Sequence, residues 1–136
     1  MNEVRVRNLQ GDRFEIGVGS HTLYVDQPVD SGGEDSAPTP LELFIASLAS
    51  CVAHYARRYL VRHDLPTEGL EVTASFEMAS APARVGSIRM DLTVPLGVPE
   101  ERLSALHAVA SKCTVHNTLD QPPTVSLVLQ TSGLRA

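Results

Sequence analysis

The stretch that most constrains this chain is TPLELFIASLASCVAHYARRYLVRHDLP, Thr39 to Pro66. Thr39 can cap a helix, Pro40 suits the first helical position because it needs no amide partner there, and Glu42 can return to the Thr39 amide. From there Leu41, Phe44, Ile45, Leu48, Val52, Tyr55 and Tyr59 recur at spacings of three and four. One face of a helix about six turns long is therefore apolar, until HDLP stops it. A helix with such a stripe has to bury it against other elements, and the rest of the chain must supply them.

The flanking segments read mostly as strands. Val4 and Val6, then Phe14, Ile16 and Val18, then Leu23 and Val25 alternate with polar neighbours, with LQGDR and VGSH between the runs as turns. This predicts a three-stranded meander. DQPVDSGGEDSAP, from Asp26 to Pro38, carries Gly, Pro, Ser and acid without apolar periodicity, so it is a surface loop of a length that is often functional. After the long helix, Leu70, Val72, Ala74, Phe76 and Met78 alternate, as do Ile88, Met90, Leu92 and Val94, with ASAPARVG between them. They read as paired strands. A second helix begins near Pro99, Glu100 and Glu101, and Leu103, Leu106, Ala110 and Cys113 continue it at helical spacing. Val125, Leu127 and Leu129 make a final strand. The order βββ-α-ββ-α-β is α+β, and residues 1–136 are of a length that fits a single domain.

Composition narrows the function. Hydrophobic residues make up 43% of the chain, yet there is no Trp and few aromatics, so aliphatic side chains must fill the interior, completed where necessary by a partner subunit. A net charge of −5, with scattered arginines, offers no basic footprint for nucleic acid. The N-terminus lacks a secretory pattern, and the longest apolar run, Leu43 to Ala53, is too short to span a bilayer. The expected location is cytoplasmic, without a membrane partner. In a reducing compartment two cysteines are free, catalytic or metal-bound more often than a permanent staple.

Cys51 lies within the apolar stripe of the long helix, where a free cysteine commonly serves as a small buried hydrophobe. Thiolate is the species that attacks electrophiles, and a thiol with a pKa of about 8.5 is mostly protonated at neutral pH. Burial raises that pKa further, so a reactive Cys51 requires an arginine or another donor nearby. Cys113 is either core or, if Ser111 caps a new helical turn, a thiol at a helix start where amides and dipole favour thiolate. Cys51-Val-Ala-His54 and Cys113-Thr-Val-His116 also share the spacing C-x-x-H, the composition of a Cys₂His₂ zinc site, although structural zinc sites more often begin with closely paired cysteines. No metal or cofactor is expected. Glu42 is explained by the capping box, and nine residues of helix rotate it about half a turn from Cys51. His21, His63 and His107 have no partner nearby in sequence.

PTPLELFIASLASC, ending in a cysteine on the helix, followed some way downstream by KCTVHNTL, resembles the OsmC/Ohr family over most of the chain. The resemblance implies a thiol-dependent peroxidase that reduces organic hydroperoxides, built as an intertwined homodimer with two cysteines per site. By motif position Cys51 is the peroxidatic and Cys113 the resolving residue. Their disulfide is then reduced by an external dithiol, such as a lipoyl protein or a thioredoxin-like protein. In the best-understood members a glutamate directly follows the proline at the helix start and pairs with an arginine. Here Leu41 stands at that position and Glu42 one residue later. Arg13, in the first hairpin, is the first candidate for the arginine. The competing expectation is a non-catalytic protein of the same fold that binds a small apolar ligand at the dimer interface.

Overall fold

The long helix forms where its cap predicts, and the other elements arrange around it. The computed structural model describes residues 2–131. Thr39 Oγ1 accepts the Glu42 N–H at 3.1 Å and Glu42 returns a carboxylate oxygen to the Thr39 N–H at 2.9 Å, so the capping box starts α1 (Pro40–Arg62). Leu48, Val52, Ala56, Tyr59 and Leu60 of α1 are buried in one cluster with Leu106, Ala110 and Cys113. Val72, Ile88, Met90 and Leu92 pack against that cluster from the strands.

Those strands are β4 (Glu71–Ala79) and β5 (Arg84–Thr93), an antiparallel pair with register Val72 opposite Leu92, Ala74 opposite Met90 and Phe76 opposite Ile88. The connection is tighter than the sequence implies. The Arg84 guanidinium donates to the carbonyls of Ser80 and Pro82, both at 2.9 Å, which closes the hairpin over four residues.

The N-terminal strands β1 (Val4–Asn8), β2 (Phe14–Val18) and β3 (His21–Val25) form the expected meander as a separate three-stranded sheet. Val6 lies opposite Ile16, and Ile16 opposite Leu23, so the apolar positions share one face. That face is open, with Val4, Val6 and Leu23 all exposed.

The loop after β3 is built on one carboxylate. Asp26 is 2% exposed and accepts from Ser36 Oγ at 2.6 Å and from the amides of Gln27, Ser36 and Glu34 at 2.7, 3.0 and 3.4 Å. These bonds, led by the Ser36 hydroxyl, hold its pKa at about 2, well below an ordinary carboxyl. The Cβ of any larger residue at 33 would sit 2.1 Å from the Gln27 carbonyl oxygen, so the loop closes only with Gly33.

Two expectations are corrected in detail. The second helix is broken: a 3₁₀ turn (Glu100–Arg102) leads into α2 (Leu103–Ala110), and α3 (Thr114–Asp120) starts afresh after Cys113. The closing strand over Val125–Leu129 forms no ladder, because among the described residues nothing pairs with residues 122–131, and Leu127 and Leu129 are each 89% exposed. The α+β architecture itself is as expected. No helix among the described residues is long and apolar enough to cross a membrane.

Candidate active site

α1 carries Cys51 at its midpoint, half-buried against the core cluster. Cys113 is fully buried, at the junction of α2 and α3. The cause of that junction is local. After Ala110 the chain turns through Ser111 and Lys112, and Cys113 takes an extended conformation, φ −70° and ψ 157°, as the N-cap of α3. Its Sγ accepts the backbone N–H of His116 at 3.3 Å. Cys113, rather than Ser111, is therefore the residue that caps the new turn. Ser111 instead returns its hydroxyl to the His107 carbonyl of α2, at 2.7 Å.

The fold brings the two thiols together from elements far apart in sequence. Burial is the main force raising the Cys113 pKa, and the adjacent Cys51 thiol raises it further, against the opposing amides of His116 and Val115. Reduced Cys113 is thus a protonated thiol at neutral pH. A hydrogen bond of 2.6 Å between Tyr55 and Thr114 hydroxyls fastens α1 to α3, one helical turn beyond Cys51 and one residue beyond Cys113. That link has no signature in the sequence, since it joins two ordinary polar residues across the fold.

Two apolar clefts open between α1, β5 and the α2–α3 segment; Val52, next to Cys51 in the chain, lines one of them, and His116, whose N–H donates to Cys113 Sγ, lines both. One, of about 300 Å³, lies between Phe44 and Leu48 of α1, Ile88 and Met90 of β5, and His116 and Leu119 of α3. The other, of about 430 Å³, lies between Val52, Leu92, Leu103 and Leu106, and shares Met90 and His116 with the first. Both fall in the size range of small-molecule sites.

The remaining sequence candidates lie elsewhere. Glu42 keeps its carboxylate on the Thr39 cap and lines a third groove with Ala46, Ala49 and Phe76, on the face of α1 opposite Cys51. Arg13 lies in the turn just before β2 with its guanidinium 4.6 Å over the Tyr24 ring, and its buried Nε has no hydrogen-bond partner among the described residues. Arg58, two helical turns after Cys51, lies over the Tyr55 ring at 5.8 Å. His54 is exposed against the edge of Tyr55, and His21, His63 and His107 are exposed too. Among the described residues no three His, Cys, Asp or Glu side chains are grouped so as to hold a metal ion. Within the protomer the two C-x-x-H pairs do not converge: His54 is exposed, and in the second pair the spacing serves a helix cap.

This architecture has known counterparts. Residues 33–128 match the family model described as OsmC-like protein. The chain belongs to the OsmC-like family. Among solved structures it is similar to a Psychrobacter arcticus protein named for osmotic stress and detoxification, with a TM-score of 0.80 and 22% identity over 87% of this chain and 88% of that one. It is similar to the organic hydroperoxide resistance protein OsmC of Legionella pneumophila, with a TM-score of 0.65 and 22% identity over 88% of each chain. An OsmC-like hydroperoxide resistance protein from Jannaschia shares 26% identity over 94% of this chain and 91% of its own, with a TM-score of 0.56. No curated protein matches the chain. The family resemblance carried by the two cysteine motifs is thereby established, and with it the fold.

Proposed function

We propose that this OsmC-like protein is a thiol peroxidase that reduces organic hydroperoxides, with Cys51 as the peroxidatic and Cys113 as the resolving cysteine. The observation that carries the reading is the adjacency of the chain's two cysteines in one core, one half-buried and one fully buried, with their neighbours Val52 and His116 lining apolar clefts. Cys51 is the more accessible of the two and faces peroxide first. Its thiolate attacks the O–O bond, the alkoxide leaves as alcohol after taking a proton, and Cys51 becomes a sulfenic acid. Cys113 then condenses with it, releasing water, and an external dithiol reduces the disulfide. The aliphatic lining favours a hydroperoxide with an apolar tail over hydrogen peroxide. The names of the Legionella and Jannaschia proteins agree with this substrate class.

The working unit we propose is a homodimer. The open apolar face of β1, β2 and β3, and the exposed alternating Val125, Leu127 and Leu129, are surfaces that a second copy would cover. A dimer also bears on activation. Within one protomer Glu42 and Arg13 are both engaged away from Cys51, so a cation for its thiolate comes either from the second copy or from Arg58.

Turnover with cumene hydroperoxide and a dithiol tests the reading. Wild type consumes peroxide, Cys51→Ser does not, and Cys113→Ser accumulates oxidised Cys51 without forming an intramolecular disulfide. If none of the three proteins consumes peroxide, the clefts favour the second reading, a non-catalytic binder of a small apolar ligand, for which a fluorescent hydrophobic probe is the direct assay.

A further inference from the structure

His116 makes two bonds around Cys113. Its backbone N–H donates to Cys113 Sγ at 3.3 Å, and its ring Nδ1 lies 2.6 Å from the Ser111 carbonyl oxygen. A carbonyl oxygen only accepts, so Nδ1 carries the proton. The arrangement is a variant of the capping box: the N-cap side chain accepts from the third helical residue, whose own side chain reaches back. Here it reaches past the cap to Ser111, just after the last residue of α2. Asn117 does the same one residue on, its side-chain amide donating to the Lys112 carbonyl at 3.3 Å. The turn from Ser111 to Cys113 is therefore held by two side chains of α3, and the place of Cys113 Sγ depends on that turn. His116 also stands in the wall between the two clefts.

We propose that His116 is the positioning residue of the Cys113 thiol, an inference that rests on the pairing of Cys51 and Cys113 proposed above. The Nδ1–H bond fixes the turn, and the His116 amide holds Sγ in the orientation from which it meets oxidised Cys51. In that step the Cys113 sulfur attacks the sulfenic sulfur of Cys51. The S–S bond forms, the S–O bond breaks, and the hydroxyl leaves with the Cys113 proton as water. The oxidising equivalents have already come from the peroxide, so no further oxidant enters.

The specific bond separates this role from mere space filling. An asparagine at 116 places its amide nitrogen near the position of Nδ1, whereas a glutamine places it near Nε2. Reduced wild type, His116→Ala, His116→Asn and His116→Gln are oxidised with one equivalent of cumene hydroperoxide. In parallel they are oxidised with diamide, which couples neighbouring thiols by taking up their two hydrogens. Disulfide formation is followed by quenched-flow mass analysis, sulfenic acid by dimedone trapping, and folding by thermal melts. His116→Ala and His116→Gln form the disulfide roughly tenfold more slowly in both arms, the factor that about 1.4 kcal/mol from one lost hydrogen bond supplies. They trap more dimedone under peroxide, and His116→Asn stays close to wild type.

Equal rates in all four proteins, or equal losses in the Asn and Gln variants, overturn the proposal. If His116→Ala fails to fold, the Asn and Gln pair carries the same decision. A wild type that forms the disulfide with diamide but not with peroxide removes the peroxidase reading and leaves the role of His116 to be decided in the diamide arm. A wild type that forms it in neither arm removes both.

Discussion

Cys113 is 0% exposed, with its thiol held above the ordinary range by burial and by Cys51. A raised folded-state pKa stabilises the reduced protein below the unfolded thiol pKa, and that contribution is lost as pH rises through the folded value. Two outcomes are expected. Urea stability of the reduced protein falls as pH climbs past about 8.5, an ordinary thiol value, and Cys113→Ala flattens that decline. Disulfide formation keeps accelerating with pH beyond the same point, because thiolate at Cys113 is still increasing. A rate that levels off below it places the limiting ionisation elsewhere. At this scale the cysteines were legible from their two motifs. His116 was visible only as half of a C-x-x-H spacing, since a ring-to-carbonyl bond across a turn leaves no periodicity.

Among the elements, α1 was legible almost to the residue because its cap, its proline and its stripe agree with one another. The break between α2 and α3 was legible only as one of two alternatives, a new turn capped by Ser111, and the capping residue is Cys113 instead. Leu106, Ala110 and Cys113 keep helical spacing across it and all end in the same core, so the apolar pattern hides the change of axis. Leu60, also 0% exposed, is a direct probe of the α1 interface. Leu60→Ala is expected to cost about 2–5 kcal/mol in urea unfolding, through lost burial and the cavity left behind.

The loop from Asp26 to Pro38 was legible as a loop, but the carboxylate at its centre was not. Asp26 has a depressed pKa of about 2, so its contribution is present above the unfolded carboxyl value and is lost as pH falls through the folded one. Acid titration should therefore loosen this loop between about pH 4 and pH 2. Amide exchange at Ser36 is the measure, and Asp26→Asn should exchange fast already at neutral pH.

For the whole molecule, the sequence conveyed the α+β class, and the comparisons agree; the order βββ-α-ββ stands, whereas the second helix is two helices and the closing strand is absent among the described residues. Alternation at Val125, Leu127 and Leu129 identifies a strand-like face, yet it is silent on which chain supplies the neighbour, and among the described residues of the protomer none does. The same holds for the open face of the N-terminal sheet. The proposed dimer predicts a mass of about twice 14.7 kDa by sedimentation equilibrium. Joint substitution Leu127→Asp and Leu129→Asp should shift the protein toward the monomer, whereas Val61→Asp, exposed at the far end of α1, should leave the mass unchanged.

The central claim is that Cys51 and Cys113 form one redox pair, and intact-mass analysis tests it most directly. Reduced protein is mixed with one equivalent of cumene hydroperoxide per protomer and alkylated without reductant. The account predicts loss of both free thiols and a fall of about 2 Da, the two hydrogens of an intramolecular disulfide. Two thiols still free with unchanged mass, or stepwise gains of about 16 Da with Cys113 still open to alkylation, would contradict it.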